Sequence, residues 1–219
     1  WRLVFHRGCS AHRVRQMKGL YGLKDFYSRL LAPVSNLAVR AKLSPDLFTW
    51  FGVLGGVLGG FGLVNESALL VAVGVLVRLA GANLDGVVAR ARGLSSKRGF
   101  WVNEIGDRLG DWALFAGVLW LGLDTLASLA LMLVVALPTA VSLWGVVRFD
   151  QPRINGGPFG KTERSFSLVL LALALEFFAT PDTSATFLAA WAWVVVGGSL
   201  VTAWMRVLRI RSINRGSRA

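Results

Sequence analysis

The sequence predicts an all-α integral membrane protein, with six transmembrane helices preceded by an N-terminal amphipathic helix at the membrane surface. Three observations carry this. Hydrophobic residues make up 54% of the 219 positions and charged residues 16%, against ~25% charged in an ordinary soluble domain, and mean hydropathy is +0.57. Six apolar stretches approach or exceed the ~20 residues that cross a hydrocarbon core as a helix. Lys and Arg residues, which give a net charge of +12, fall in alternate connections between those stretches.

Residues 1–43 read as a cytoplasmic and interfacial segment. Residues 1–20 lack the long apolar run of a signal peptide. From 24 to 42, Phe26, Leu30, Val34, Leu37 and Ala41 recur at three- or four-residue steps, with Arg29, Arg40 and Lys42 elsewhere. That is the pattern of a helix lying in the membrane interface; a surface helix folded back on the bundle would share it. Ser44-Pro45-Asp46 stops this helix and caps the next.

The expected spans are 46–64, 67–92, 100–123, 126–147, 165–180 and 184–207, within a membrane domain at 44–208. The first holds Gly52, Gly55, Gly56, Gly59, Gly60 and Gly62, a small-residue face suited to close helix packing inside the bundle, with homodimerisation as a second use. The fifth is short and carries Glu176.

Nine basic residues precede the first span, and others flank the second-to-third and fourth-to-fifth connections and the basic tail at 209–219. The remaining connections hold only Glu66, Asp124 and Asp182. This positive-inside alternation places both termini in the cytoplasm, with a bacterial plasma membrane as the expected setting. The positive charge then serves topology and contact with membrane lipids, and nucleic acid is excluded as a partner. One cysteine, Cys9, excludes an intramolecular disulfide and a cysteine-built metal cluster. His6 and His12 both lie in the N-terminal stretch, which argues against a histidine-based site deeper in the chain.

Carboxylates at membrane depth are costly and mark function. They concentrate around the second-to-third connection, as Asp85, Glu104, Asp107 and Asp111, with Asn83 and Asn103 beside them. Steps of four put Asn103, Asp107 and Asp111 on one helix face. A short connection brings Asp85 and Asn103 together at the cytoplasmic edge, near Arg90, Arg92, Lys97 and Arg98. Oxygen donors without His or Cys suit a hard cation, Mg2+ or Mn2+. Such an ion keeps waters and meets substrate phosphates, which the basic neighbours would also bind. Gly86 and Gly99 would let a nucleotide or pyrophosphate lie against bare backbone. The bland alternative is that the acids pair with nearby arginines and terminate helices.

The run from 82 to 107 resembles the signature of the CDP-alcohol phosphatidyltransferases, D-x2-D-G-x2-A-R-x8-G-x3-D-x3-D. Asp85, Gly86, Ala89, Arg90, Gly99 and Asp107 match at the family's spacing, and the Ser-Pro-Asp…Thr49 opening is similar too. The first aspartate of that pattern falls on Ala82 and the third on Asn103. The resemblance implies transfer of a phosphatidyl-type group from a CDP-diacylglycerol-like lipid to a hydroxyl acceptor, with release of CMP. It implies metal ligation by Asp85, Asn103 and Asp107, with Glu104, Asp111 and Asn83 as extra oxygen donors. Asp107 would be the base that deprotonates the acceptor. Thr49, Gly86, Ala89, Arg90, Lys97 and Gly99 would hold the nucleotide and its phosphates. Members with phosphorylated acceptors carry basic residues in the fourth-to-fifth connection, where Arg153, Lys161 and Arg164 stand here; a positive-inside loop accounts for those charges equally well. Two rival readings are a non-catalytic CDP-lipid-binding relative or scaffold with a degenerate metal site, and a cation- or proton-coupled transporter.

Overall fold

A computed structural model of the chain describes residues 24–216 apart from 124, 152 and 181. Expectations for residues 1–23 and 217–219, including Cys9, His6 and His12, lie outside the described residues, as does Asp124. Among the described residues the chain is all-helical and without a strand. The helices are α1 (Lys24–Leu30), α2 (Ala32–Arg40), α3 (Pro45–Val64), α4 (Ala68–Ala91), α5 (Lys97–Ala116), α6 (Thr125–Phe149), α7 (Lys161–Phe177) and α8 (Ser184–Gly216). A 3-10 turn, Gly117–Leu121, extends α5 and ends at Gly122, whose φ of +87° suits a residue without Cβ.

The N-terminal segment is two short helices broken at Leu31, with Pro33 in the opening turn of α2, where its missing N–H leaves no bond unmade. Phe26, Leu30, Val34 and Leu37 are exposed, while Ser35 and Ala38 are buried. Ala38 packs with Phe48, Leu84 and Val88. Tyr27 reaches α4, donating to the Leu76 carbonyl at 3.1 Å, and burial pushes its phenol pKa up. Arg92 donates to the carbonyls of Lys42 and Leu43 at 2.9 and 2.5 Å, satisfying acceptors that the end of α2 leaves open.

Local chemistry sets the helix starts. Ser44 accepts from Asp46 N–H, Ser67 from Leu70 N–H and Ser96 from Gly99 N–H, each satisfying an orphan donor of the first turn. The N-terminus of α4 has a second cap from a distant helix: Ala68 N–H donates to Glu176 of α7 at 2.6 Å.

α3 is the pivot of the fold. It packs against both α4 and α5, α6 packs against α8, and α7 bridges α4 and α8. The six glycines of α3 are all buried. Gly56 lies against the backbone of Gly110 on α5, and Gly59 against Gly74 on α4, so closely that a Cβ on Gly56 or Gly74 would strike main-chain atoms. The glycine face is therefore used within the chain. Val71, Leu114, Leu168 and Val195 fill the core where α4, α5, α7 and α8 meet.

α3, α4, α6 and α8 are long and apolar enough to cross a membrane. α5 falls short of that measure because of its charged residues, and α7, at 17 residues, is short as well; both carry polar groups on their inner faces. Glu104 and Asp111 of α5 are buried while Trp101, Ile105 and Trp112 are exposed. On α7, Glu163, Arg164 and Ser165 are buried, whereas Phe166, Leu170 and Phe177 face outward. Helix α8 runs on through 209–216, so the basic tail is at first a continuation of the last helix.

Candidate active site

Antiparallel packing brings the last turns of α4 to the first turns of α5, and α3 closes over both. Asp85 is 3% exposed. Thr49 of α3 donates to its Oδ2 at 3.1 Å, and Asn103 of α5 donates to the same oxygen through Nδ2. The other oxygen accepts from Gly86 N–H. Gly106 faces Thr49 so closely that a Cβ there would strike its methyl group. Hence α3 can press Thr49 onto Asp85.

Asp107 lies one turn beyond Asn103 on the same face of α5 and is ion-paired with Lys161 Nζ at the start of α7. Its carbonyl accepts from Arg78 Nη2 at 3.1 Å. The expectation of one oxygen cluster is otherwise corrected. Asp111 is held between Arg78 and Arg108, the latter at 3.1 Å. Glu104 is held by Arg153 at 2.8 Å, with Arg108 at 3.6 Å. Asn83 exchanges hydrogen bonds with Ser28 of α1 at 3.1 and 3.4 Å. These three side chains are occupied away from Asp85: Asp111 lies two turns further along α5 and meets Arg78 of α4, Glu104 points toward the Arg153 side of α5, and Asn83 points from α4 toward α1.

The cations that meet the acids also differ from the expected ones. Arg90, Lys97 and Arg98 are exposed, and Arg98 reaches only Asp46, at 3.6 Å. Gly86 is not bare, since a Cβ there would meet the Arg90 guanidinium at 3.0 Å. Gly99 lies at the Ser96 cap, and Ala89 is half-buried beside Arg90. The acids instead meet Arg78, Arg108, Arg153 and Lys161. Sequence reasoning missed Arg108, although its i,i+3 spacing from Asp111 was a usable signal.

It also missed how the 150–160 loop is fastened. Arg206, 6% exposed, donates to the carbonyls of Gly156 at 2.8 Å and Pro138 at 2.6 Å and to Ser142 Oγ at 3.0 Å. Phe159 N–H donates to Thr202 at 2.9 Å. Gly157, with φ of +130°, lies tight against Thr202. This pinning to α8 delivers Arg153 to Glu104 and Lys161 to Asp107. Arg164 is buried and donates to the Phe159 carbonyl at 3.1 Å, yet its Nε has no partner. Arg78 and Arg153 also keep unpartnered guanidinium nitrogens, so the inner face of this loop is cationic with donors to spare.

The chemistry of the residues suits a hard cation whose shell is completed by other ligands. Asp85 and Asn103 touch across the helix junction through the Asn103 amide N–H, and Asp107, paired with Lys161, follows one turn away, so two carboxylates and one amide stand close together. Among the described residues no three His, Cys, Asp or Glu side chains converge on a point that could hold an ion. A magnesium-type ion needs only one or two carboxylates when water and substrate phosphates complete its shell.

Comparison with known proteins accords with this geometry. Residues 42–205 match the sequence profile of the CDP-alcohol phosphatidyltransferases. A phosphatidylinositol phosphate synthase of Mycolicibacterium smegmatis is 31% identical over 199 residues, covering 85% of this chain and 86% of that protein. One from Streptomyces avermitilis is 28% identical over 197 residues, covering 86% and 80%. The fold matches the crystal structure of Mycobacterium tuberculosis phosphatidylinositol phosphate synthase with CDP-DAG bound, at a TM-score of 0.66 and 22% identity over 83% of this chain and 94% of that one. The same enzyme with manganese and citrate matches at 0.60 and 24% identity, covering 81% and 87%. With the signature, the helix junction that carries it and the matched length in agreement, the chain belongs to the CDP-alcohol phosphatidyltransferase family, membrane enzymes that move a phosphatidyl-type group from a CDP-linked lipid to an alcohol and release CMP.

Proposed function

We propose that this chain transfers the phosphatidyl group of CDP-diacylglycerol to a hydroxyl of a phosphorylated alcohol, of which inositol phosphate is the first to test. The reading is supported by one observation: Asp85 at the end of α4 bonds Asn103 of α5, and Asp107, one turn further along α5, pairs with Lys161 of the cationic segment that also carries Arg153 and Arg164. The acids suit the reacting diphosphate and the cations suit a second phosphate on the acceptor. Its support includes the phosphatidylinositol phosphate synthases among the relatives and the CDP-DAG held by the M. tuberculosis enzyme.

In this reading the acceptor oxygen attacks the lipid-bearing phosphorus, that P–O bond forms, and the P–O bond to CMP breaks. Asp107 takes the hydroxyl proton, its carboxylate being paired with the Lys161 ammonium until then. Asp85 and Asn103, with Asp107 beside them, would hold a divalent ion, Mg2+ or Mn2+, which would supply charge neutralisation on the diphosphate. Thr49 orients Asp85. Arg90, with Gly86 and Ala89 beneath it, and Lys97, ahead of Gly99, contact the nucleotide phosphates from the cytoplasmic rim. Glu104, Asp111 and Asn83 act as structural partners. Arg153 and Arg164 hold the acceptor phosphate.

The membrane arrangement belongs to the same proposal. Six helices, α3 to α8, span the bilayer within a domain at 44–208, and both termini face the cytoplasm of a bacterium. Residues 1–43 form the interfacial segment and 209–219 the basic tail, and a homodimer is the expected assembly. The outward apolar faces of α5 and α7 support six spans, and the exposed Phe26, Leu30, Val34 and Leu37 support an interfacial α1–α2.

The test is CMP release from CDP-diacylglycerol by the purified full chain, with inositol phosphate, glycerol phosphate, inositol and serine as acceptors. Release with a phosphorylated acceptor alone is expected. Turnover only with unphosphorylated alcohols would overturn the acceptor assignment. Nucleotide binding with no turnover on any acceptor would favour the non-catalytic relative, a reading that Ala82 and the occupied acids support.

A further inference from the structure

The pairing of Lys161 with Asp107 bears on how many ions the site takes. Both side chains are largely withdrawn from water, at 23% and 14% exposed, and they come from helices 54 positions apart in sequence. Ala82, one turn before Asp85 on the same face of α4, has no donor atom. Asn103 is neutral and already bonded to Asp85. Glu104 and Asp111 are taken up by Arg153, Arg108 and Arg78. The acids left at the junction are therefore Asp85 and Asp107, with Lys161 paired to one of them, and the three arginines on Glu104 and Asp111 add no negative charge to it.

A pair of divalent ions about 3.5–4 Å apart needs bridging carboxylates to offset their mutual repulsion. This junction has one uncompensated negative charge to offer them. One divalent ion beside the Lys161 ammonium is a different matter, because the small excess of positive charge then faces the substrate diphosphate. Asn103 can present its amide oxygen to that ion by a half-turn about its last torsion, since the two ends of the amide are interchangeable in shape.

We infer that Lys161 is a resident cation of the site: its ammonium neutralises Asp107 in the place where a second divalent ion would otherwise sit, and the chain takes a single divalent ion on Asp85 and Asn103. This rests on the site assignment proposed above and adds the stoichiometry and a task for Lys161 distinct from acceptor binding. Lys161 acts here through Asp107 and on the charge of the junction, as a positioning residue.

Mn2+ titration of the full chain in lipid nanodiscs, read by electron paramagnetic resonance, tests it. Wild type is expected to bind one equivalent with an uncoupled six-line spectrum. Lys161→Met should tighten Mn2+ binding at least tenfold, Lys161→Gln should follow it, and Lys161→Arg should stay within threefold of wild type. Lys161→Met combined with Ala82→Asp and Asn103→Asp should bind two equivalents with a spin-coupled spectrum. Two equivalents in wild type, or Mn2+ affinity within twofold of wild type in both Lys161→Met and Lys161→Gln, would overturn the inference. If affinity is unchanged while Lys161→Met raises only the KM for the acceptor, Lys161 is an acceptor contact; the inference falls and the proposed function stands. Absence of any bound Mn2+ in wild type would remove both the inference and the assignment of the ion to Asp85.

Discussion

Arg78 and Asp111 show how this molecule pays for polarity inside a bilayer-facing fold. Both are almost fully buried, and Arg78 bonds the Asp111 carboxylate and the Asp107 carbonyl at once. Breaking a buried pair from one side strands the other charge. Arg78→Met leaves Asp111 with Arg108 alone and should destabilise the chain by somewhat less than the ~3–5 kcal/mol of a fully stranded buried charge, measured as a lowered thermal transition in detergent. Arg78→Met with Asp111→Leu should recover part of that loss. A single variant as stable as wild type would show the pair to be dispensable. At Asp85 and Asp107 the cost is chemical instead. Asp85→Asn and Asp107→Asn should each reduce CMP release about 100-fold or more while the helical circular dichroism stays that of wild type. Retained turnover in either would remove that residue from the proposed site.

Between helices, side-chain size decides how closely backbones can approach. Gly56 and Gly110 share a contact that leaves no room for a methyl group, whereas a Cβ on Gly197 of α8 would meet nothing within 4 Å. Gly56→Ala should lower the melting temperature in detergent sharply, and Gly197→Ala should leave it unchanged or raise it, because alanine favours a helix by about 1 kcal/mol over glycine. Equal effects at the two positions would refute the packing argument. The carboxylate of Glu176, which reads in sequence as a stray charge in a short span, caps α4. Glu176→Ala should cost about 1 kcal/mol, seen as faster amide exchange in the first turn of α4.

For the molecule as a whole, the alternation of charge along the chain becomes a test of sidedness. In a Cys9→Ser background, Ser95→Cys lies in the α4–α5 connection and Asp182→Cys in the α7–α8 connection. A membrane-impermeant maleimide should label position 182 in intact cells and position 95 only after lysis. Labelling of both from the same side would break the six-span arrangement, because three helices, α5, α6 and α7, separate the two connections.

The sequence by itself determined the family, most of the helices and the cap at Ser44. Apolar run length, Ser44 ahead of a helix start, and the spacing from Asp85 to Asp107 are local properties, and the observed α3, α4, α6 and α8 begin close to where those properties put them. It also marked Asp85, Asn103 and Asp107 as partners across one short connection. What the tertiary structure alone decided is which cation meets which acid. Glu104 finds Arg153 and Asp107 finds Lys161 across 49 and 54 positions, and Arg206 reaches Pro138 across 68. Such pairings depend on the rotation of each helix about its axis and on a loop pinned to α8. A charge written in sequence does not record its orientation, and a buried charge is stabilised only by whatever lies within a few ångströms of it after packing.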